Sequence, residues 1–187
     1  MFFFVFCVYV LMVITPLLKK PDLDLADVKL YRPISNLSVL YKLLERLVAR
    51  QLLDYLNAHH LLPGCQSAYR SYHSMETAIL KVMSDILLAL DSGDLAMLTL
   101  LDLSAAFDTV DHYIFLKSLN ISYGISRSVF GWLTSYLSNR TQFVQLNGSC
   151  SKSSVVACGV PQGSVLGPIL FLLYTADLTR LVDTHNL

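Results

Sequence analysis

The sequence predicts an α+β fold, and three observations carry that expectation. Two segments, one that Ser35, Asn36 or Ser38 can cap and one following Ser74, repeat apolar residues at helical spacing. Apolar runs at residues 1–18 and 95–103 suit strands better than typical helices. Strand-like segments at 142–146 and 154–158 flank Asn147-Gly148, a dipeptide suited to a tight hairpin turn. The chain has 187 residues, 54% hydrophobic and 15% charged, enough to bury a core in one domain or one and a half.

Taken in order, the first 18 residues are almost wholly apolar. A membrane-spanning helix needs about 20 such residues, and Thr15-Pro16 interrupts this run near its end. A signal peptide needs a basic start and a small-residue cleavage site, and neither is present. A buried strand, suited to the Phe, Val and Tyr content, or a misplaced reading-frame start are the remaining readings. Membrane anchoring is not favoured. Residues 22–29 read as a loop, and Pro33 forces extended backbone within Tyr31-Arg32-Pro33-Ile34-Ser35-Asn36.

A helix then runs to about Leu56. Leu40, Leu43, Leu44, Leu47, Val48 and Leu52 mark its apolar face, with Lys42, Glu45, Arg46, Arg50 and Asp54 opposite. Leu62-Pro63-Gly64 breaks the pattern. Ser74 caps a second helix whose stripe, Met75, Ala78, Ile79, Val82, Met83, Ile86, Leu87 and Leu90, is expected to be core. Residues 95–103 are expected to form a buried strand with Asp102 near its carboxyl end. Further helices are expected from about Asp108 to Leu119, from Ser126 to about Leu137, and from Ser164 to about Leu178, the last with Pro168 in its first turn.

Formal net charge is zero, without the basic excess usual in a nucleic-acid binder. The charges are nevertheless unevenly placed. Residues 1–70 hold 8 Lys/Arg and 5 Asp/Glu, a net of +3, and residues 71–187 hold 6 and 9, a net of −3. Chance explains such a split, as does a protein that grips phosphates in one place and metal ions in another. The four cysteines, Cys7, Cys65, Cys150 and Cys158, have no Cys-x-x-Cys spacing and form no zinc pattern with the five histidines. They read as reduced thiols of an intracellular protein, in nucleus or cytoplasm. Neither a phosphate-binding Gly-x-x-x-x-Gly-Lys-Ser/Thr loop nor a Gly-x-Ser-x-Gly nucleophile elbow occurs.

Asp102 is the acidic residue that most demands an explanation, because an unpaired charge inside Leu100-Leu101-Asp102-Leu103 costs several kcal/mol to bury. Exposure at a strand end, a basic partner or a magnesium ion each relieves that cost. Asp108 and Asp111 read as helix caps.

Residues 101–112, Leu-Asp-Leu-Ser-Ala-Ala-Phe-Asp-Thr-Val-Asp-His, resemble motif A of non-LTR retrotransposon reverse transcriptases. Residues 158–168, Cys-Gly-Val-Pro-Gln-Gly-Ser-Val-Leu-Gly-Pro, resemble their motif B, and residues 31–36 and 66–70 resemble two fingers motifs. The resemblance implies fingers plus an incomplete palm of a right-hand polymerase. It divides the chain into an apolar leader at 1–13, a fingers-like region at 14–94 and a partial palm at 95–187. It also implies that Asp102 is a catalytic magnesium ligand, with the Leu103 carbonyl assisting, in a two-ion site. Phe107 then lies under the sugar and excludes ribose. Pro161, Gln162 and Gly163 face the incoming nucleotide and template base, and Arg32 and Arg70 meet triphosphate or template backbone. The partners implied are an RNA template, a DNA primer and deoxynucleotides.

The family's next motif, an aromatic-Ala-Asp-Asp hairpin, does not occur, and no Asp-Asp pair exists in the chain. The expectation is a reverse transcriptase fragment that does not polymerise by itself. The alternatives are a non-catalytic remnant that binds nucleic acid or a partner, and a membrane-anchored orphan.

Overall fold

A continuous apolar run can be buried as a strand, whose period of two places Met12 and Ile14 on one face. A computed structural model describes residues 11–21, 24–64, 66–100, 102–103, 105–178 and 184. In it Leu11–Leu18 form strand β1, with Met12 and Ile14 buried against Leu37, Tyr41 and Val156. Residues 1–10 of the apolar run lie outside the described residues. No helix among the described residues is long and apolar enough to cross a membrane.

The chain divides into two compact units. The larger comprises Met1–Leu61 with Ala105–Leu187, the smaller Leu62–Ser104. In the larger unit, β1 pairs antiparallel with β2 (Tyr31–Asn36), from Val13 opposite Asn36 to Leu18 opposite Tyr31. It pairs parallel with β3 (Thr141–Leu146), from Leu11 opposite Thr141 to Ile14 opposite Val144. Pro16 and Pro33 face each other in this ladder. Neither can donate a backbone hydrogen bond, and both positions are permissive. Pro16 lies beyond the last β3 partner, and β2 is the outer strand.

The Asn147-Gly148 turn forms as its sequence requires. Both residues have positive φ, 50° and 81°, as a type I′ turn demands. The chain returns through β4 (Ser149–Cys150) and then β5 (Ser154–Val155), which rejoins β3 at Thr141 and Gln142. The second arm is therefore shorter than the expected 154–158.

Among the described residues, four α-helices pack in this unit: α1 (Val39–Ala58), α3 (His112–Ile121), α4 (Arg127–Leu137) and α5 (Leu166–Thr175). Ser38 caps α1 and Asp111 caps α3, its carboxylate accepting the Ile114 N–H at 2.8 Å. The Ser164 hydroxyl accepts the Gly167 N–H at 2.7 Å, so it closes the start of α5. Leu56, Phe115, Leu119, Leu133, Leu137, Leu166 and Leu170 are fully buried among these helices. Buried Tyr123 donates its hydroxyl to the Leu173 carbonyl of α5. Burial, then the Asp177 charge, pushes its pKa up to about 12.

One α1 face departs from the sequence reading. Leu40, Leu43 and Leu47 are exposed, whereas Glu45, expected on the polar face, is only 1% exposed. The buried stripe is Glu45, Val48, Ala49, Leu52 and Leu56. Spacing alone cannot choose between two adjacent faces when one carries a carboxylate that finds partners inside. The Glu45 carboxylate accepts the Tyr136 hydroxyl and the Val165 N–H, each at 2.7 Å.

The smaller unit contains α2 (Met75–Asp91), started by a capping box between Ser74 and Thr77. Its stripe is not core: Met75, Ile79, Val82, Met83, Leu87 and Leu90 are exposed. Periodicity shows which face can be buried, not whether an element covers it, and α2 is the unit's one regular element among its described residues. The expected strand at 95–103 is likewise absent from the described residues of that segment. A strand exists by pairing, and no ladder includes it. Leu95, Met97, Leu98 and Leu100 are exposed, Leu95 at 99%.

Burial raises the Glu45 pKa, while its hydrogen bonds and the Arg140 charge oppose the rise. A carboxyl with a raised native pKa binds more protons folded than unfolded between the two values. Its contribution to stability is therefore full below the ordinary glutamate pKa and falls as pH rises through the raised one. Glu45→Gln is expected to remove that dependence in the weakly acidic range, as urea melts across pH will show. Glu45→Ala strands Tyr136, Val165 and a buried cation, at about 3–5 kcal/mol; an unchanged melting curve would contradict this account.

Candidate active site

The loop at residues 159–164 owes its path to its glycines. Gly159 has φ +88°, and a Cβ there would lie 2.9 Å from the Phe107 carbonyl oxygen and 3.0 Å from the Asp108 Cα. Only a residue without a side chain permits this approach. Three hydrogen bonds exploit it. The Gly159 N–H donates to the Val110 carbonyl at 2.8 Å, and the Val160 N–H donates to the Phe107 carbonyl at 2.7 Å. His112 Nε2 lies 2.8 Å from the Gly159 carbonyl. Because a carbonyl only accepts, Nε2 carries the proton.

The loop is also fastened to the sheet. The Ser35 N–H of β2 donates to the Gln162 carbonyl at 2.8 Å, filling part of an otherwise open strand edge. Gly163 follows at φ +93°, where a Cβ would come within 3.2 Å of the Ser35 carbonyl oxygen.

A cleft of about 480 Å³ opens here, lined by Pro33, Ser35, Asp108, Arg140, Gln142 and Gln162 among others. The cation beside it is buried. Arg140, 1% exposed, donates from Nη2 to the Tyr41 hydroxyl at 2.8 Å, and its guanidinium carbon lies 4.3 Å from the Tyr136 ring centre. Its Nε and Nη1 have no hydrogen-bond partner among the described residues. The cleft thus combines a buried positive charge with the Asp108 carboxylate and a fixed amide side chain. A second cleft, of about 280 Å³, lies by Val48, Leu52, Val129 and Leu133 and carries none of the site residues expected from sequence.

The structure brings Asp108, Pro161 and Gln162 to this cleft, with Gly163 next to it in the loop. Phe107 lies just beyond it, half-buried, its ring 5.2 Å from that of Phe171 on α5. Arg32 is exposed on β2, one residue out of phase with Pro33 and Ser35, so it faces the other side of the strand. Asp102, Leu103 and Arg70 belong to the smaller unit. Asp102 and Leu103 are exposed and lie in no strand, contrary to the expected strand end. Arg70 Nη1 turns to its own loop, donating to the Gly64 carbonyl at 3.2 Å and, at 3.5 Å, to those of Pro63 and Gln66. Asp108 does not cap α3 as expected: Asp111 fills that place, and the Asp108 carboxylate faces Gln162. Of the cysteines, Cys150 and Cys158 are free and exposed, and Cys7 and Cys65 lie outside the described residues.

Sequence reasoning passed over Arg140, Glu45 and His112. Glu45 stood among the charges of the polar face of its helix, Arg140 carried no sequence signal, and His112 showed only as the last letter of motif A and as one of five histidines in no zinc pattern.

A glycine-bearing loop bonded to an acidic and aromatic segment brings together two segments distant in sequence, and comparison with known proteins gives the family of the chain. Residues 18–186 match the family model described as Reverse transcriptase (RNA-dependent DNA polymerase), and the chain belongs to that family. It is 36% identical over 162 residues to a probable RNA-directed DNA polymerase from transposon BS of Drosophila melanogaster, covering 87% of this chain and 18% of that protein. It is 38% identical over 161 residues to the corresponding protein of transposon X-element from the same organism, covering 86% and 17%. The RNA-directed DNA polymerase from mobile element jockey of Drosophila funebris is 35% identical over 162 residues, covering 85% and 17%. The chain therefore spans less than a fifth of the length of these relatives.

Enzymes of the reverse transcriptase family use divalent metal. Among the described residues no group of three or more His, Cys, Asp or Glu side chains could hold a metal ion.

Gly159→Ala is expected to cost about 1–3 kcal/mol for the left-handed backbone alone, and more because the Phe107–Asp108 backbone must move. A thermal melt of the purified chain checks this; an unchanged midpoint would mean that the loop does not approach so closely.

Proposed function

We propose that this chain is the fingers and part of the palm of an RNA-directed DNA polymerase from a non-LTR retrotransposon. The observation that carries the reading is the direct hydrogen bonding of the motif B loop, through Gly159 and Val160, to the second half of motif A. In this reading the cleft beside Gln162 receives a deoxynucleotide opposite an RNA template, next to a DNA primer terminus. Pro161, Gln162 and Gly163 form one wall. The family resemblance further assigns Arg32 and Arg70 to phosphate contacts, and Asp102 with the Leu103 carbonyl would hold part of a magnesium site. Bound magnesium would activate the primer hydroxyl and stabilise the leaving pyrophosphate. This chain's own residues bind and orient the nucleotide. The remaining carboxylates belong to an Ala-Asp-Asp sequence that the 187 residues lack, so by themselves they are proposed not to polymerise.

The test is a chimera. The matched segment of the transposon BS polymerase is replaced by residues 18–178 of this chain and assayed for primer extension on RNA. Extension that Asp102→Ala reduces by at least about a thousandfold is the expected result. An inactive chimera beside an active parent would reject the proposal, as would sustained extension by the 187-residue chain alone.

The same chimera separates two roles for Phe107. If its ring lies under the sugar, Phe107→Val raises ribonucleotide use relative to deoxynucleotide use, because a clash with the extra hydroxyl is relieved. If the ring serves only to pack against Phe171, the change opens a cavity and both nucleotides suffer together. The ratio of kcat/KM values for one base in ribo and deoxy form, read beside a melting curve, decides between them.

A further inference from the structure

We infer that Asp108 is a positioning residue that fixes the polarity of the Gln162 side chain, so that Gln162 offers the bound nucleotide a hydrogen-bond acceptor. The inference rests on the proposed nucleotide cleft and goes beyond it, since neither the motif nor the capping role read from sequence gives Asp108 this task.

The geometry is local to one unit. Gln162 Nε2 lies 3.5 Å and 3.4 Å from the two Asp108 carboxylate oxygens, long contacts shared across the carboxylate. The main chain on both sides is held. The Gln162 carbonyl accepts the Ser35 N–H, and the Phe107 carbonyl beside Asp108 accepts the Val160 N–H. Both residues line the same cleft.

A glutamine amide offers two donors on nitrogen and an acceptor oxygen, whereas an ionised carboxylate only accepts. The reverse flip would set the Gln162 oxygen against the Asp108 oxygens, lone pair to lone pair. Asp108 therefore chooses the rotamer with nitrogen toward itself and leaves Oε1 for another group. What Oε1 can recognise is an O–H or N–H donor. On a deoxynucleotide that donor is the sugar 3′-hydroxyl or a base amine.

The same chemistry predicts a reciprocal pair. Gln162→Glu alone would set two carboxylates together, one at each position. When Asp108→Asn is added, an amide N–H again meets the side chain at position 162, and the glutamate still presents an acceptor to the ligand. Gln162→Glu should therefore be harmful alone and largely rescued by Asp108→Asn. A purely structural role for Asp108 gives no such rescue.

The experiment uses the full 187-residue chain, isotope-labelled, with nuclear magnetic resonance of the Gln162 side-chain amide and titration with deoxyadenosine triphosphate. Asp108→Asn should shift the Gln162 amide protons and speed their exchange. It should weaken nucleotide binding by about three- to tenfold, the scale of one hydrogen bond. Gln162→Glu should weaken it at least as much, and the double variant should return to within about threefold of the parent. Dideoxyadenosine triphosphate and a deoxynucleotide lacking the 6-amine then locate the donor, because the effect of Asp108→Asn vanishes with the probe that lacks it. An amide signal indifferent to Asp108→Asn, or a double variant no better than Gln162→Glu, overturns the inference and leaves the proposed function standing. Loss of the Asp108→Asn effect with neither probe overturns the acceptor role. Absence of binding by any of the three nucleotides overturns the proposed nucleotide cleft, and the inference with it.

Discussion

The buried carboxylate of Glu45 holds together the parts of the larger unit that come from distant stretches of chain. One oxygen takes the Tyr136 hydroxyl of α4, and the other takes the Val165 N–H at the entrance to α5. A carboxylate taken out of water costs several kcal/mol unless its lone pairs are filled, so α1, α4 and the loop before α5 are constrained at one point. Arg140 lowers the electrostatic cost of that burial. Its own charge is relieved by the Tyr41 hydroxyl and the Tyr136 ring. Tyr136 joins these groups, and its own hydroxyl titrates well above the ordinary tyrosine value because it is buried.

From that anchor the geometry of the cleft follows. Val165 is fixed by Glu45, and Ser164 by its bond to the Gly167 N–H, so the loop leaves α5 in one direction. Gly167 must lack a side chain, since a Cβ would lie 2.7 Å from the Ser164 hydroxyl and 2.8 Å from the Pro161 carbonyl oxygen. Ser35 holds the loop at Gln162, and residues 107–112 hold it at Gly159 and Val160. A cleft wall built in this way is preorganised: its backbone is held by its own hydrogen bonds, which lowers the ordering cost of binding a ligand there.

Much of this was legible in the sequence where local chemistry decides. Asn147-Gly148 fixes its turn, Ser74 fixes the start of α2, Ser38 was one of three candidate caps for α1, and the glycines of the 159–164 loop mark close backbone approach, whereas α3 begins after Asp111 and not at the expected Asp108. The α+β class followed from the same signals. What could not be read was set by partners far along the chain. The burial of Glu45 depends on Tyr136, 91 positions later, and on Val165, 120 positions later. The contact of Asp108 spans 54 positions, and no local pattern distinguishes it from a helix cap. The exposed stripe of α2 fails in the opposite sense. Its spacing states a demand for burial that the described residues of its unit do not meet.

That unmet demand bears on motif A itself, because the division between units falls inside the motif. Phe107 and Asp108 belong to the unit whose loop hydrogen bonds hold them, whereas Asp102 and Leu103 belong to the other. The two halves of the motif need different support. A residue that shapes the wall of a cleft is held by the backbone bonds beside it, and the Phe107 carbonyl accepts one from the Val160 N–H. A carboxylate that shares a metal ion needs a rigid element beneath it, and a strand is rigid only when paired. Residues 95–100 expose Leu95, Met97, Leu98 and Leu100 and make no ladder. Both their apolar side chains and their backbone groups would be satisfied by a neighbouring strand, the kind of element an Ala-Asp-Asp hairpin supplies. In the proposed reading, the pairing that would hold Asp102 in place and the carboxylates that would share its magnesium ion are one requirement, distinct from the backbone bonds that hold Phe107 and Asp108.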